Sequence, residues 1–538
     1  MRLSTAAFAA VSFAAAVATI ALSWSCASRP PVMAAETPAS PGAAALLPAR
    51  ADALGGVDDR GIPRLESVRP AKRRIDYLDA ALSDYRRETL PNGATLAIKR
   101  QSGRRTAAAR IVLVRDGFAI KAKEAGLEAL ALAAAARAAA GSEPGSVEAA
   151  VFEAGGSIEL KLEDYDDIAL ELVCPVESLT GLLELVARAL ASPAFAQDDF
   201  DRSLREARVA ERRESGDPLL RAAAELRSGL YKDHPYSLPP RGTAFSLAAA
   251  TRESVMRYWT SRFSAERLFV VVVADADPLD LAGRLGPLFS ALPRGIAPED
   301  LRKDERESPA GAKVAALPIR PWFKALSLSA TPGSAVIRGE FAAPEESSPD
   351  YAALTVALAM LDDLLLEGLR GERALAYGAW ARISAAAAPS ASVTVYKTTD
   401  PAAAKSAVNA AITELASGLC IDVGGQAAPS SVGSKGMGSA ALAPLARSLD
   451  AYKARAITAS YSRGASSEGM AAHIARDLAA GGDGTALFRM AGRISAVSAE
   501  DVARVARQRL LEGPSAWVAL GDPDLVLGLP LSDFVPAR

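Results

Sequence analysis

The sequence predicts an α+β protein made of two homologous domains, each a mainly antiparallel sheet with helices packed on it, joined by a linker. The first observation behind this prediction is an internal repeat. The stretch "TRESVMRYW" from Thr251 leads to the apolar run "LFVVVVADADP", and "SAEDVARVA" from Ser498 leads to "AWVALGDPD". The differences 498 − 251 and 522 − 275 both equal 247 residues, so Asp275 and Asp522 end matching segments. Because helix, strand and turn follow in the same order and at the same spacing in both segments, the sequence indicates a duplicated domain.

The second observation is that strand patterns precede helix patterns in the first half. Residues 94–100 and 109–117 alternate or run apolar over strand lengths. An alanine-rich helix at 125–140 follows, and "SIELKLED" and "IALELVC" then predict a hairpin. Helical patterns fill most of 178–231. Strands followed by helices are typical of α+β domains.

The second half repeats this order. Strand patterns at 336–341, 378–383 and 392–398 surround and follow a long helical pattern at 350–370. A charged segment rich in Pro and Gly separates the halves, which indicates a linker. The predicted boundaries are an export signal at 1–26, an Ala/Pro-rich tether at 27–75, a first domain at 76–292, a linker at 293–320 and a second domain at 321–538 with a Gly/Ser-rich loop at 423–444.

The composition is that of an ordinary globular protein. The chain has 538 residues, of which 50% are hydrophobic and 23% charged, with a formal net charge of -2. Lys and Arg are matched by Asp and Glu and form no long basic run, so nucleic acid is not an expected partner.

The first residues predict export. Arg2 precedes an apolar, uncharged run at 6–22, and "SWSCAS" follows, which is the order of parts in a signal peptide. A retained anchor helix is the alternative, since the run lies at the lower edge of a bilayer-spanning length. Cys26 resembles the acceptor cysteine of bacterial lipoproteins, with cleavage near Ala34 as the other reading. We therefore expect either a periplasmic protein or a lipoprotein tethered to a membrane through Cys26.

Several motifs together carry a family resemblance. They are "TLPNGATLAIKR", "EAGGSIE" at Glu153, "HPYSLPPRGT" at His234, "LRGERALAY" at Leu369 and the two repeated endings. In this order they resemble the insulinase/pitrilysin family of zinc peptidases over nearly the whole chain. The resemblance implies two homologous α+β domains around a chamber that takes extended peptides, often completed by a second, similar chain.

The zinc motif of that family is degenerate here. Active members carry H-x-x-E-H on the helix after the second strand, because residues at i and i+4 share a helix face and two imidazoles then converge on one zinc. Aligned on Gly126, the two histidine positions hold Ala129 and Ala133, and the glutamate position holds Leu132. The only histidines, His234 and His473, lie too far apart for the motif in any frame. We expect no metal, no cofactor and no catalytic residue.

Two other sets of residues remain from the family pattern. The resemblance places the remaining zinc ligand on the helix that carries Glu206, Glu211 and Glu214, which we expect to have lost their partners and to form a solvated face. Arg370 and Tyr377 match the arginine and tyrosine that the family uses to hold and polarise the substrate carbonyl. The alternative is that both residues only pack or end a helix.

These observations predict an exported, non-catalytic subunit of a two-chain zinc peptidase. Such a subunit would bind extended peptides and complete the active site of a zinc-bearing homologous partner, and it would not be an enzyme on its own. The alternative is a structural or peptide-binding protein of the same fold with no proteolytic role. An autonomous peptidase with unrelated ligands is the least favoured reading.

Overall fold

The computed structural model describes most of the chain after residue 81. The described residues are 82–115, 122–162, 167–231, 237–295, 319, 321–328, 331–384, 388–418 and 448–534. All of them belong to one compact unit, Asp76–Arg538. The predicted export signal, the tether, Cys26, His234, most of the linker and the Gly/Ser-rich loop lie outside the described residues, so their boundaries remain predictions.

The first half contains a six-stranded sheet in the order β1-β2-β6-β3-β5-β4. Neighbouring strands are antiparallel except β2 and β6, which are parallel. Buried apolar side chains such as Leu96, Ile98 and Ile111 point from these strands into the core formed with the helices of this half. The strands are β1 (Tyr85–Thr89), β2 (Thr95–Arg100), β3 (Thr106–Val114), β4 (Ser157–Lys161), β5 (Asp167–Pro175) and β6 (Leu268–Ala274).

Eight α-helices are described in the first half. Asp217 and Asp277 accept hydrogen bonds from backbone N–H groups at the starts of α5 and α8, each of which has proline in its first turn. The helices are α1 (Leu127–Ala135), α2 (Ser146–Glu153), α3 (Leu179–Ala191), α4 (Gln197–Gly216), α5 (Pro218–Leu230), α6 (Ala244–Ala249), α7 (Arg252–Arg262) and α8 (Pro278–Ser290).

The second half contains a five-stranded sheet in the order β7-β11-β8-β10-β9. Its pairs are antiparallel except β7 and β11. The strands are β7 (Trp322–Ser327), β8 (Ala335–Ala342), β9 (Ala376–Ile383), β10 (Ser390–Thr398) and β11 (Ser515–Gly521). The described helices are α9 (Pro349–Leu366), α10 (Pro401–Ser417), α11 (Leu449–Arg463), α12 (Ser467–Ala479), α13 (Ala486–Ser495), α14 (Ala499–Val505), α15 (Pro523–Val526) and α16 (Leu531–Phe534).

The internal repeat extends to single hydrogen bonds. Thr251 and Ser498 begin α7 and α14, each with a capping box. The strands that follow, β6 and β11, keep the same spacing, since 515 − 268 equals 247. After each strand an aspartate accepts a hydrogen bond from a glycine N–H, Asp275 from Gly103 and Asp522 from Gly333. The predicted fold class, two homologous α+β halves, is confirmed.

One helix of each half packs on the sheet of the other half. Helix α5 of the first half packs on β8 and β11 of the second sheet, where Ala222 and Leu226 are fully buried. Helix α12 of the second half packs on β3 and β6 of the first sheet, where Ala471 and Ile474 are buried. Gly229 allows close approach, because a Cβ at that position would lie 2.7 Å from the Trp322 ring. Each sheet is therefore covered on one face by its own helices and on the other by a helix of the other half.

Among the described residues, no helix combines the length and apolar character needed to cross a membrane.

Candidate functional site

The alanine-rich helix α1 begins at a tight crossing of two glycines. Gly126, which precedes α1, has φ +83°, and a Cβ there would lie 2.7 Å from the Cα of Gly242. Only glycine tolerates both the left-handed backbone and this approach. The crossing holds the segment with Arg241 against the start of α1.

Helix α1 forms the floor of a cavity of about 420 Å³, which we call the alanine cleft. Ala129 and Ala133, one turn apart, line it, together with Ile158 and Leu160 of the sheet-edge strand β4 and Ala207 of α4. Leu132 is fully buried in the core of the first half. The two positions that would hold histidines in an active relative thus present only methyl groups to this cleft.

A buried arginine occupies the end of the cleft. Arg137 lies two residues after the end of α1, and its side chain is only 5% exposed. Its Nη1 donates to Glu148 Oε1 and its Nη2 to Glu206 Oε2, each at 2.6 Å. Its Nε donates to Ser203 Oγ at 2.9 Å. All three nitrogens of this guanidinium are therefore committed to side chains of α2 and α4.

A second arginine reaches the same two carboxylates from solvent. Arg202, 54% exposed, pairs with Glu148 at 2.9 Å and with Glu206 at 3.2 Å. Nearby, Glu214 pairs with Arg241. Glu206 and Glu214 are thus ion-paired, and Glu206 is also 56% exposed, as expected for a solvated face. Arginines that the sequence analysis did not consider neutralise them, while Glu211 accepts a hydrogen bond from Ser215.

Metal-ligand and nucleophile chemistry find little support in the described part of the chain. No group of three or more His, Cys, Asp or Glu side chains there could hold a metal ion. Cys174 is buried, and burial raises the pKa of its thiol to about 11, which disfavours the reactive thiolate.

The structure brings Arg370 and Tyr377 together in the second half. Helix α9 ends at Leu366 and continues as a π-helical turn, Glu367–Glu372, which contains Arg370. Tyr377 is the second residue of β9. The Arg370 Cζ lies 5.9 Å from the centre of the Tyr377 ring, and Tyr377 also makes an edge contact with Tyr396 at 6.2 Å. We call these two residues the Arg370–Tyr377 pair.

The pair is exposed, and two nearby residues have left-handed backbone. Tyr377 is 69% exposed, and Arg370 is also exposed. Ala374, between them, has φ +49°, and Lys397, on the neighbouring strand, has φ +53°. Non-glycine residues rarely adopt this region, and such strain is concentrated at functional sites. The side chains that line the alanine cleft all come from the first half, so the cleft and the pair are separate features.

Comparison with known proteins agrees with this degenerate site. Residues 249–419 match the family model described as the peptidase M16 inactive domain. This stretch of the chain is therefore similar to an M16 inactive domain. M16 is the family of insulinase and pitrilysin, so the resemblance seen in the sequence is confirmed over residues 249–419. The matched M16 segment includes the Arg370–Tyr377 pair. No curated protein shows a significant sequence match to the chain.

Solved structures share the M16 fold at low sequence identity. An M16 inactive domain from Pseudomonas fluorescens has a TM-score of 0.64 at 16% identity, over 81% of this chain and 98% of that one. A protease from Helicobacter pylori has a TM-score of 0.66 at 16% identity, over 81% and 99%. A chain of complex III2 from Candida albicans has a TM-score of 0.62 at 16% identity, over 82% and 96%. At these identities the likeness shows the fold alone.

Proposed function

We propose that this chain is the exported, non-catalytic subunit of a two-chain zinc peptidase. It binds extended peptides and contributes the Arg370–Tyr377 pair to the active site of a zinc-bearing homologous partner. The observation that carries the proposal is the contact between these two side chains, both exposed, in a chain whose own metal positions hold alanine.

The chemistry of the pair suits a substrate carbonyl. A guanidinium and a phenol both donate hydrogen bonds, and such donors act where negative charge develops on the oxygen during hydrolysis. Residues that only pack are expected to be buried, whereas Tyr377 leaves most of its ring in solvent. The left-handed backbone at Ala374, between the two residues, further supports a functional role.

The free edge of the first sheet supports peptide binding. Strand β4 is the last strand of that sheet, and β5 is its one neighbour among the described strands. Ile158 and Leu160 of β4 line the alanine cleft. An extended peptide can add to such an edge through backbone hydrogen bonds while its side chains enter the adjacent cavity.

Export through residues 1–26 is part of the proposal, with the mature chain either lipidated at Cys26 or cleaved near Ala34. The apolar run at 6–22 supports it. Mass spectrometry of the native protein measures the mature N-terminus, and a retained Met1 in a cytoplasmic protein would contradict export.

The test of the central proposal is reconstitution. A homologue with H-x-x-E-H encoded beside this chain is the candidate partner, and peptide turnover is measured for the mixed pair. We expect Arg370→Ala and Tyr377→Phe each to lower turnover by roughly 10²-fold, as when one oxyanion donor is removed. Arg373→Ala, an exposed neighbour, is the matched control and should leave turnover unchanged. Pull-down should show full association for all variants, and unchanged turnover at full association would refute the role.

A structural or peptide-binding protein without a proteolytic partner is the second candidate. The likeness in fold to a chain of complex III2 favours it, since that chain belongs to a larger assembly. Peptide binding without turnover by any co-encoded homologue would support this second function.

A further inference from the structure

A second cavity lies along α4 and continues the alanine cleft. It has a volume of about 470 Å³ and shares Glu206, Ala210 and Arg241 with the cleft. Its other lining residues are Arg205, Val209, Arg213, Glu214 and Leu220. We call this cavity the arginine pocket. Because these three residues line both cavities, a peptide in the cleft can extend into the pocket.

The arginine pocket carries uncompensated positive charge. Glu206 pairs with Arg137 and Arg202, and Glu214 pairs with Arg241, so both carboxylates of the pocket are already neutralised. Arg205 and Arg213 are exposed and form no ion pair with the carboxylates of the described residues. Two guanidinium groups are thus available to an added anion.

The two free arginines and an apolar side chain form one row. Arg205, Val209 and Arg213 follow each other at four-residue intervals and therefore lie on one face of α4. Val209 is 59% exposed and Leu220, across the pocket on α5, is 46% exposed. The row presents a cation, an apolar surface and a second cation along the helix axis.

The spacing of this row matches an extended peptide. Arg205 and Arg213 are 213 − 205 = 8 residues apart, which corresponds to about 12 Å along a helix. Four residues of an extended chain cover about 13 Å, and residues i, i+2 and i+4 point to the same side. A segment with the pattern acid-x-apolar-x-acid would place its carboxylates at the two arginines and its apolar side chain at Val209.

We propose that the arginine pocket selects extended peptide segments with the pattern acid-x-apolar-x-acid. The inference rests on the proposed peptide binding and names the class of peptide bound. Arg205 and Arg213 each hold one carboxylate, and Val209 and Leu220 enclose the apolar side chain between them.

The test measures binding of fluorescent peptides to the purified full chain by anisotropy. One amidated peptide carries the acid-x-apolar-x-acid pattern, a second replaces both acids with glutamine, and a third keeps the same net charge with the acids on the opposite side of the strand. A fourth, neutral peptide has a free C-terminal carboxylate. We expect the first to bind about tenfold more tightly than the others, since two exposed ion pairs each contribute up to about fivefold. Tightest binding of the fourth peptide would instead identify a terminal carboxylate as the ligand and overturn the pattern.

Variants of the arginines assign the effect to the pocket. Arg205→Glu and Arg213→Glu should each remove the preference for the patterned peptide, and the double variant should prefer a peptide with lysines at both acid positions. Arg212→Glu is the matched control, because Arg212 is exposed on the same helix but does not line the pocket. Equal binding of the amidated peptides, or equal loss in the Arg212→Glu variant, would overturn this inference alone. Failure to bind any peptide would overturn both it and the peptide binding on which it rests.

Discussion

The alanine cleft lies in the first half of the chain and the Arg370–Tyr377 pair in the second, and the two halves repeat the same fold. The arginine of the cleft is buried, whereas the pair is exposed. In the cleft, the guanidinium of Arg137 is buried and its three nitrogens all donate to protein side chains. In the pair, Arg370 and Tyr377 are exposed and contact each other, and Tyr377 also contacts Tyr396. Groups saturated by their own chain contribute stability, whereas exposed donors remain available to a ligand. The charges around Arg137 therefore support the fold, whereas the donors of Arg370 and Tyr377 remain accessible to the proposed ligand.

Removal of the buried arginine should give the largest effect. Arg137→Ala leaves Glu148 and Glu206 facing each other without their shared internal cation, and we expect a loss of about 2–3 kcal/mol in the free energy of unfolding, reduced from the buried-pair value because both carboxylates are partly exposed. Urea denaturation measures it. Arg202→Ala is the control, because Arg202 binds the same two carboxylates from solvent and should cost less than about 1 kcal/mol. Equal losses would show that burial of Arg137 has no special role.

The sequence around Arg137 indicates that this residue is buried and paired. In "AAAARAAA" it is a single charge in an apolar segment, and such a charge is buried only when it is paired. Its partners could not be predicted, because Glu148 and Glu206 come from helices that are distant in sequence. Glu206 lies on the expected solvated face, since it is 56% exposed, and it also lines the cleft.

The fold itself was largely predictable, because its central strands are apolar runs and its halves repeat. Strands β1 and β7 were not predicted. Each lies at a sheet edge, and "YRRET" and "WFKALS" have too few buried positions to give a strand pattern. The packing of α5 and α12 on the sheet of the other half could not be read from the sequence either, since an amphipathic helix does not reveal which sheet it covers. The contact between Arg370 and Tyr377 required the π-helical turn, which has no recognisable pattern.

The free energy of unfolding should depend on pH through helix α12, which packs on the sheet of the first half. Burial, followed by the charges of Arg476, Arg463 and Arg110, lowers the pKa of His473 on α12 to about 4. The unfolded chain then binds more protons than the folded chain between pH 4 and about 6.5, so stability rises with pH across this window. After allowance for partial exposure of the ring, we expect about 1–2 kcal/mol from His473.

The variant His473→Gln isolates this contribution. The difference in unfolding free energy between wild type and variant should change between pH 4 and 6.5 and be constant above that range. Denaturation at a series of pH values measures the difference, and a difference independent of pH would mean that His473 keeps its ordinary pKa.

Substitution of the exposed pair should have little effect on stability. Arg370→Ala and Tyr377→Phe remove groups that lie in solvent, so each should change the free energy of unfolding by less than about 0.5 kcal/mol. Tyr377→Phe also keeps the ring contact with Tyr396. The same urea measurement used for Arg137 applies, which makes the contrast between the two regions direct. A loss above about 1 kcal/mol for either variant would favour the packing role over the binding role.

Zinc should not change the melting temperature of the protein, because the alanine cleft lacks metal ligands. A ligand that binds the folded chain at a hundredfold excess over its dissociation constant stabilises it by about 2.7 kcal/mol, so zinc at a real site would raise the melting temperature. Ala129 and Ala133 supply no donor atoms, Arg137 already neutralises Glu206, and burial keeps the Cys174 thiol protonated. We therefore expect equal melting temperatures with zinc and with a chelator, and no stoichiometric zinc by elemental analysis. A zinc-dependent rise together with stoichiometric zinc would contradict this prediction, and loss of the rise in Cys420→Ser or His234→Ala would identify a ligand.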